Sequence, residues 1–155
     1  MVAIMLGKQQ DPCESCMLED VKVPVRLKLS ALWAALMFCY VYGDYFGLYR
    51  PGQLQGMLQG DGPIGPTSQG TLVAVSILMA IPSLMVFLPI VLPPTFNRWT
   101  NIVLALLYAV IVGLTMPGSW AFYLFFSAVE IGLSLLIVWY AWSWPRVRGG
   151  SPVSM

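Results

Sequence analysis

The sequence predicts an all-α, polytopic membrane protein, with four transmembrane helices packed as an antiparallel bundle. Three observations carry this. Of 155 residues, 58% are hydrophobic and 10% charged, whereas a soluble domain is about 25% charged and at most about half apolar. Mean hydropathy is +0.75 for a mass of 17.1 kDa, and a globule that size would have too few polar residues to coat itself in water. Four apolar segments qualify against the roughly 20 residues needed to cross about 30 Å of hydrocarbon. Together these exclude an ordinary soluble enzyme, a disordered chain and a disulfide-stapled secreted domain. The net charge of +1 gives no ground for nucleic acid as a partner. The chain has no histidine, which removes the commonest general base and the commonest metal ligand.

The predicted spans are residues 27–49, 70–92, 99–116 and 120–144, preceded by a cytoplasmic arm at 1–26 and followed by a tail at 145–155. The first contains Asp44, with Lys28 at its inner edge, and the fourth contains Glu130. Their continuous runs of Leu, Ala and Met argue for helices over the alternating strands of a membrane barrel. Pro51-Gly52, Pro93-Pro94, Pro117-Gly118 and Pro145 punctuate the ends, because proline cannot continue a helix and glycine suits its cap. The connections Pro93 to Arg98 and Pro117 to Ser119 are so short that the helices they join must be antiparallel.

Orientation follows from the short flanks. Lys8, Lys22, Arg26, Lys28, Arg98, Arg146 and Arg148 fall on one side and Arg50 alone on the other. Both termini are therefore expected in the cytoplasm. Trp33, Trp99, Trp139, Trp142 and Trp144 lie towards the inner ends and Trp120 at an outer end, the placement of an aromatic belt. No small-residue cleavage site precedes the first span, so no removable signal peptide is expected. Residues 1–16 look different from the rest of the chain, and Met17 is a candidate start.

The outer loop, residues 50–69, is rich in Gly, Pro and Gln. Leu54, Met57 and Leu58 have helical spacing, which suits a short interfacial helix. Residues 60–66 read as irregular turns. A plain linker is one reading of this loop, and a cap over an outward-facing cavity is the other. Residues 21–29 alternate apolar and polar side chains around Pro24. An isolated strand has nothing to pair with, so they read as an extended basic arm on the inner leaflet.

A shift of 66 residues lays Trp33 on Trp99, Tyr42 on Tyr108, Gly47-Leu48 on Gly113-Leu114 and Pro51-Gly52 on Pro117-Gly118. A shift of 51 lays Ser76 on Ser127, Ser83 on Ser134 and Pro94 on Pro145. These matches suggest a two-plus-two hairpin repeat of a type found in transporters.

An ionisable residue in the bilayer marks a functional site by default. Glu130 lies ten residues in from Trp120, about 15 Å deep. Asp44 lies about 8 Å from the outer end of its span by the same rise. Tyr123, Ser127, Glu130 and Ser134 share one stripe of the fourth helix, and Met37, Tyr40 and Asp44 one stripe of the first. Two readings compete. In one, Glu130 and Asp44 line an outward-opening cavity beside Tyr40 and Tyr123, and take up a proton, a cation or a polar solute group. In the other, a protonated Glu130 hydrogen-bonds a serine or tyrosine as interhelical glue, and Asp44 pairs with Arg50 or water. Pro82 and Pro89 each remove a backbone hydrogen bond from the second span. They mark kinks that open a hinge beside Ser83, or prolines of the kind membrane helices tolerate. Ser76, Ser83 and Asn101 are expected to make interhelical polar contacts.

Cys13 and Cys16 form a C-x-x-C, a redox or metal candidate in a reducing compartment. A zinc site needs four ligands, and the chain adds only Cys39, which suits a small buried apolar role. No phosphate loop, nucleophile elbow or paired catalytic carboxylates are present. The sequence predicts no metal, no cofactor and no catalytic residues.

The runs Glu19-Asp20-Val21-Lys22-Val23-Pro24-Val25-Arg26, Tyr42-Gly43-Asp44-Tyr45-Phe46, Leu48-Tyr49-Arg50-Pro51-Gly52, Ile81-Pro82-Ser83-Leu84-Met85 and Asn97-Arg98-Trp99 resemble an uncharacterised bacterial family of four-span membrane proteins, a domain of unknown function. The resemblance covers about residues 17–145. It implies a bacterial inner-membrane location and brings no activity or site. DoxX-like four-helix membrane proteins are similar in architecture alone, which does not carry function. The leading expectation is small-solute or proton-linked transport or permeation through Glu130. The alternatives are a non-catalytic membrane subunit or assembly partner, and a membrane thiol or quinone redox protein. The expected partners are membrane lipid and either a second copy or a larger membrane protein.

Overall fold

The computed structural model describes residues 22–62 and 65–144. Expectations for residues 1–21 and 145–155, including Cys13, Cys16, the Met17 start and Pro145, lie outside the described residues. The elements are α1 (Val25–Gly47), α2 (Gln53–Leu58), β1 (Asp61–Gly62), β2 (Gly65–Pro66), α3 (Gln69–Leu84), α4 (Leu88–Val91), α5 (Pro94–Thr115) and α6 (Ala121–Trp142). Three of them, α1, α5 and α6, are long and apolar enough to cross a membrane. At 1.5 Å per residue they measure about 33–35 Å.

The second predicted span is not one continuous helix. It divides into α3 and α4 around a turn at Met85–Phe87. Pro82 lies inside α3 and Pro89 in the first turn of α4. Proline at 82 cannot bond back to the Leu78 carbonyl, and proline at 89 cannot bond back to Met85. Neighbouring side chains meet the carbonyls left open along this stretch. The Tyr108 hydroxyl donates to Leu78 O at 2.5 Å, and Ser30 Oγ to Val86 O at 2.6 Å. Asn97 Nδ2 donates to Pro89 O at 2.5 Å, and an Arg26 guanidinium nitrogen to Ile90 O at 3.0 Å. Broken backbone at membrane depth persists only where protein satisfies it.

The extended arm is also corrected. Residues 25–29 are the first turn of α1, which starts directly after Pro24. Proline needs no backbone donor, and its fixed φ suits the start of a helix. The same property lets Pro94 open α5, five residues before the predicted start of the third span. Residues 60–66 are not irregular turns throughout, since β1 and β2 pair antiparallel, Asp61 with Pro66 and Gly62 with Gly65. A Cβ on Gly62 would stand 2.8 Å from the Gly65 carbonyl oxygen, so only glycine fits there.

Side-chain contacts define the helix directions. Arg26, Ser30 and Met37 of α1 meet Ile90, Val86 and Ser83 in descending order, so α1 runs antiparallel to the α3–α4 segment. Thr115 meets Tyr123 and Arg98 meets Trp142, so α5 and α6 form a hairpin. Trp33 meets Asn101 and Tyr40 meets Tyr108, so α1 and α5 run parallel. The core gathers Leu29, Trp33 and Leu36 of α1 with Ile102, Ala105 and Tyr108 of α5 and Ile137 and Ala141 of α6.

Trp33 is therefore no belt residue. It is fully buried, and its indole nitrogen donates to Asn101 Oδ1 at 2.7 Å. Trp99, Trp120, Trp139 and Trp142 are exposed. The suggested repeat fares unevenly. Pro51-Gly52 and Pro117-Gly118 make matching turns, their glycines at φ +81° and +76°. The matched aromatics do not correspond: Trp33 is buried and Trp99 exposed, while Tyr42 is exposed and Tyr108 buried. Ser76 is exposed where Ser127 is buried.

Candidate functional site

The core fills one end of the body, where α4 and the starts of α1 and α5 meet the end of α6. Towards the other end, under the loop that joins α1 to α3, the helices part around a cavity of about 540 Å³. All four long elements contribute. Tyr40 and Asp44 come from α1, Leu78 and Met79 from α3, Tyr108 and Thr115 from α5, and Tyr123 and Glu130 from α6. An adjoining hollow of about 570 Å³ shares Asp44, Arg50, Gln53 and Tyr123 with it and reaches Met57 of α2. Gln53 of α2 and Gly62 of β1 line the cavity at the loop. Only Gly62 fits the narrow β1–β2 ladder at that rim.

Glu130 is 6% exposed and lines this cavity. On its α6 stripe Ser127 and Ser134 are both 1% exposed, and Tyr123 is half-buried. The hydroxyls around the carboxyl do not engage it. Those of Ser127, Ser134 and Tyr40 are buried with no partner among the described residues. The Tyr123 and Thr115 hydroxyls bond each other at 2.9 Å, and Tyr108 is committed to Leu78 O. The packing-glue arrangement, a Glu130 hydrogen bond to a serine or tyrosine, is thus absent among the described residues. Of this stripe, Tyr123 and Glu130 line the cavity, and Ser127 and Ser134 are not among its lining residues.

Asp44 stands nearer the cavity mouth on an exposed stretch of α1. Arg50, its expected partner, instead holds its guanidinium 5.5 Å from the centre of the Trp120 ring. At the opposite end, Arg26 stands over Trp144, Lys28 over Tyr140 and Arg98 over Trp142, at 6.0, 5.3 and 5.1 Å. Each cation is held at a rim by an aromatic face, the contact expected of a cation-π pair. None of these four stands over a cavity ring.

A buried polar network ties α1, α4 and α5 together in the core. Asn101 accepts from Trp33 and donates through Nδ2 to the backbone and side-chain oxygens of Asn97, at 2.8 and 2.6 Å. Asn97 in turn donates to Pro89 O. Asn101 is thus the interhelical contact expected of it. Ser83 reaches Met37 Sδ of α1 at 3.7 Å and also bonds its own helix at Met79 O. Ser76 bonds only Leu72 O of its own helix, a correction that follows from its exposed position. Cys39 is free and half-buried. Among the described residues no group of three or more His, Cys, Asp or Glu comes together.

Sequence reasoning misses two contributors to the site, Tyr108 and Thr115, and the part Asn97 plays in the core network. The four-residue spacing of Asn97 and Asn101 in an apolar helix is a readable signal for the network. The open carbonyl behind Pro82 implies a donor, but only the fold identifies it as Tyr108.

The architecture is that of a mostly helical protein with three candidate membrane-spanning helices. The chain belongs to a family of unknown function, DUF6326, whose model matches residues 21–149. No curated protein and no solved structure matches it.

Proposed function

We propose that this is a four-crossing protein of the bacterial inner membrane that moves protons or a proton-linked small solute through the Glu130 cavity. In this reading α3 and α4 form one broken span, both termini are cytoplasmic, and the cavity opens to the outside. The carbonyl partners along the break support the fourth crossing, because they make irregular backbone tolerable in hydrocarbon. The cations stacked on aromatics at the end opposite the loop support the orientation. The observation that carries the function is the carboxyl of a buried residue facing a cavity, with no hydrogen-bond partner among the described residues. Such a group takes a proton from water in the cavity and returns it as the site empties and fills. Around it stand Tyr40 and Asp44 from α1, Tyr108 from α5, Tyr123 from α6 and Arg50 at the rim.

Liposomes carrying the protein and a trapped pH dye test this. A proton gradient should decay faster than in empty liposomes, and Glu130→Gln should return the decay to the empty rate without loss of folding. Equal decay in native and Glu130→Gln liposomes would overturn the reading. A membrane subunit that binds other helices is a second reading, favoured by α3, which buries only Pro82 of its sixteen residues. A stoichiometric partner retained in mild detergent, without proton flux, would select it.

A further inference from the structure

Resting on the reading that this cavity accepts a solute, we propose that its ligand is an organic cation with a hydrophobic body. Three features of the walls select that class. The first is charge. Asp44 and Glu130 line the cavity from facing helices. The one cation on its lining among the described residues, Arg50, is held at the rim by Trp120. The other cations seen to pair, Arg26, Lys28 and Arg98, are stacked on aromatics at the far end. Glu130 is 6% exposed, and the hydroxyls beside it are committed elsewhere or unpartnered among the described residues. A ligand that brings its own positive charge supplies what these walls do not.

The second feature is aromatic surface. Tyr40, Tyr108 and Tyr123 line the same cavity as the two carboxylates, and Tyr40 and Tyr108 lie with ring centres 6.3 Å apart. Aromatic faces attract a cation whose charge is spread over alkyl groups, the arrangement that recognises quaternary ammonium. The third is an apolar stretch of wall formed by Leu78, Met79, Ile111 and Val112. A hard metal ion would engage only oxygen ligands such as Asp44, Glu130, Thr115 and Ser119 and leave this apolar wall without a partner. These side chains suit a hydrocarbon body instead. A cavity of about 540 Å³ is in the range that holds a drug-sized molecule. An anion would meet two carboxylates, with the rim guanidinium already occupied by Trp120.

The test is calorimetric titration of the full chain in neutral detergent with two probes that share an aromatic body, benzyltrimethylammonium and benzenesulfonate. The ammonium should bind saturably and the sulfonate should not. Glu130→Gln and Asp44→Asn should each weaken ammonium binding at least tenfold, while Glu130→Asp keeps the charge and most of the affinity. Tyr40→Phe keeps a ring and retains binding, whereas Tyr40→Leu weakens it. If Glu130→Gln does not fold, Asp44→Asn and Tyr40→Leu still decide the matter. Saturable sulfonate binding, or ammonium binding unchanged in the carboxylate variants, would overturn the inference. Loss of ammonium binding alongside Glu130-dependent proton flux overturns only the ligand class. Carboxylate-dependent binding without flux overturns only the transport reading.

Discussion

Tyr108 shows how one side chain repairs a break made by another. Pro82 leaves the Leu78 carbonyl without its helical donor, and the Tyr108 hydroxyl fills that place. An acceptor left unpaired away from water costs about 1–3 kcal/mol. Tyr108→Phe should therefore destabilise the protein by about that amount, read as unfolding in mixed detergent micelles. Pro82→Ala restores the backbone donor, so in that background Tyr108→Phe should cost much less. A double-mutant cycle measures the difference, and equal costs in both backgrounds would show that the hydroxyl has another role. The legibility of the site divides along the same line. Glu130, Asp44, Tyr40 and Tyr123 are readable in the sequence because charge and phenol are conspicuous in apolar helices. Tyr108 is not, because its partner is a backbone carbonyl on another helix and no sequence pattern records that pairing. Trp33 misleads for a related reason: a tryptophan near a span end suits the interface, and only burial beside Asn101 reveals a core role.

The α3–α4 segment shows what apolar composition hides. Hydropathy sees one uninterrupted run from residue 70 to 92, because Pro82 and Pro89 add no charge. The backbone sees two prolines seven apart and divides. Side-chain donors from α1 and α5 hold α4 and the turn before it against the body: Arg26 and Asn97 bond α4, and Ser30 bonds Val86 of the turn. Ser30→Ala and Asn97→Ala should each loosen this segment by about 1 kcal/mol. Hydrogen exchange should then speed up at the amides of residues 86–92 and stay unchanged in the middle of α6. Uniform acceleration along the whole chain would mean that α4 opens only with global unfolding. The ends of α5 and α6 are legible to within five residues because proline and glycine act locally. The β1–β2 pair is not, since two-residue strands carry no periodicity to detect.

Taken whole, the molecule is dense at one end and hollow at the other. The dense end carries Trp33, the asparagine network and three of the four stacked cations, Arg26, Lys28 and Arg98. The hollow end carries the carboxylates, tyrosines and a loop that folds over them. This polarity is half legible. The basic flanks and the depth of Glu130 come from composition and spacing, while the cavity arises because α3 packs thinly and leaves its neighbours apart. Transport and ligand binding both require that Glu130 meet water admitted from the loop side of a membrane. Glu130→Cys in an otherwise cysteine-free chain, placed in sealed vesicles of known sidedness and treated with a membrane-impermeant thiol reagent, decides this. The cysteine should be labelled from the face that carries Arg50 and not from the other. Labelling from neither face, or from the face that carries Arg26 and Arg98, would refute it.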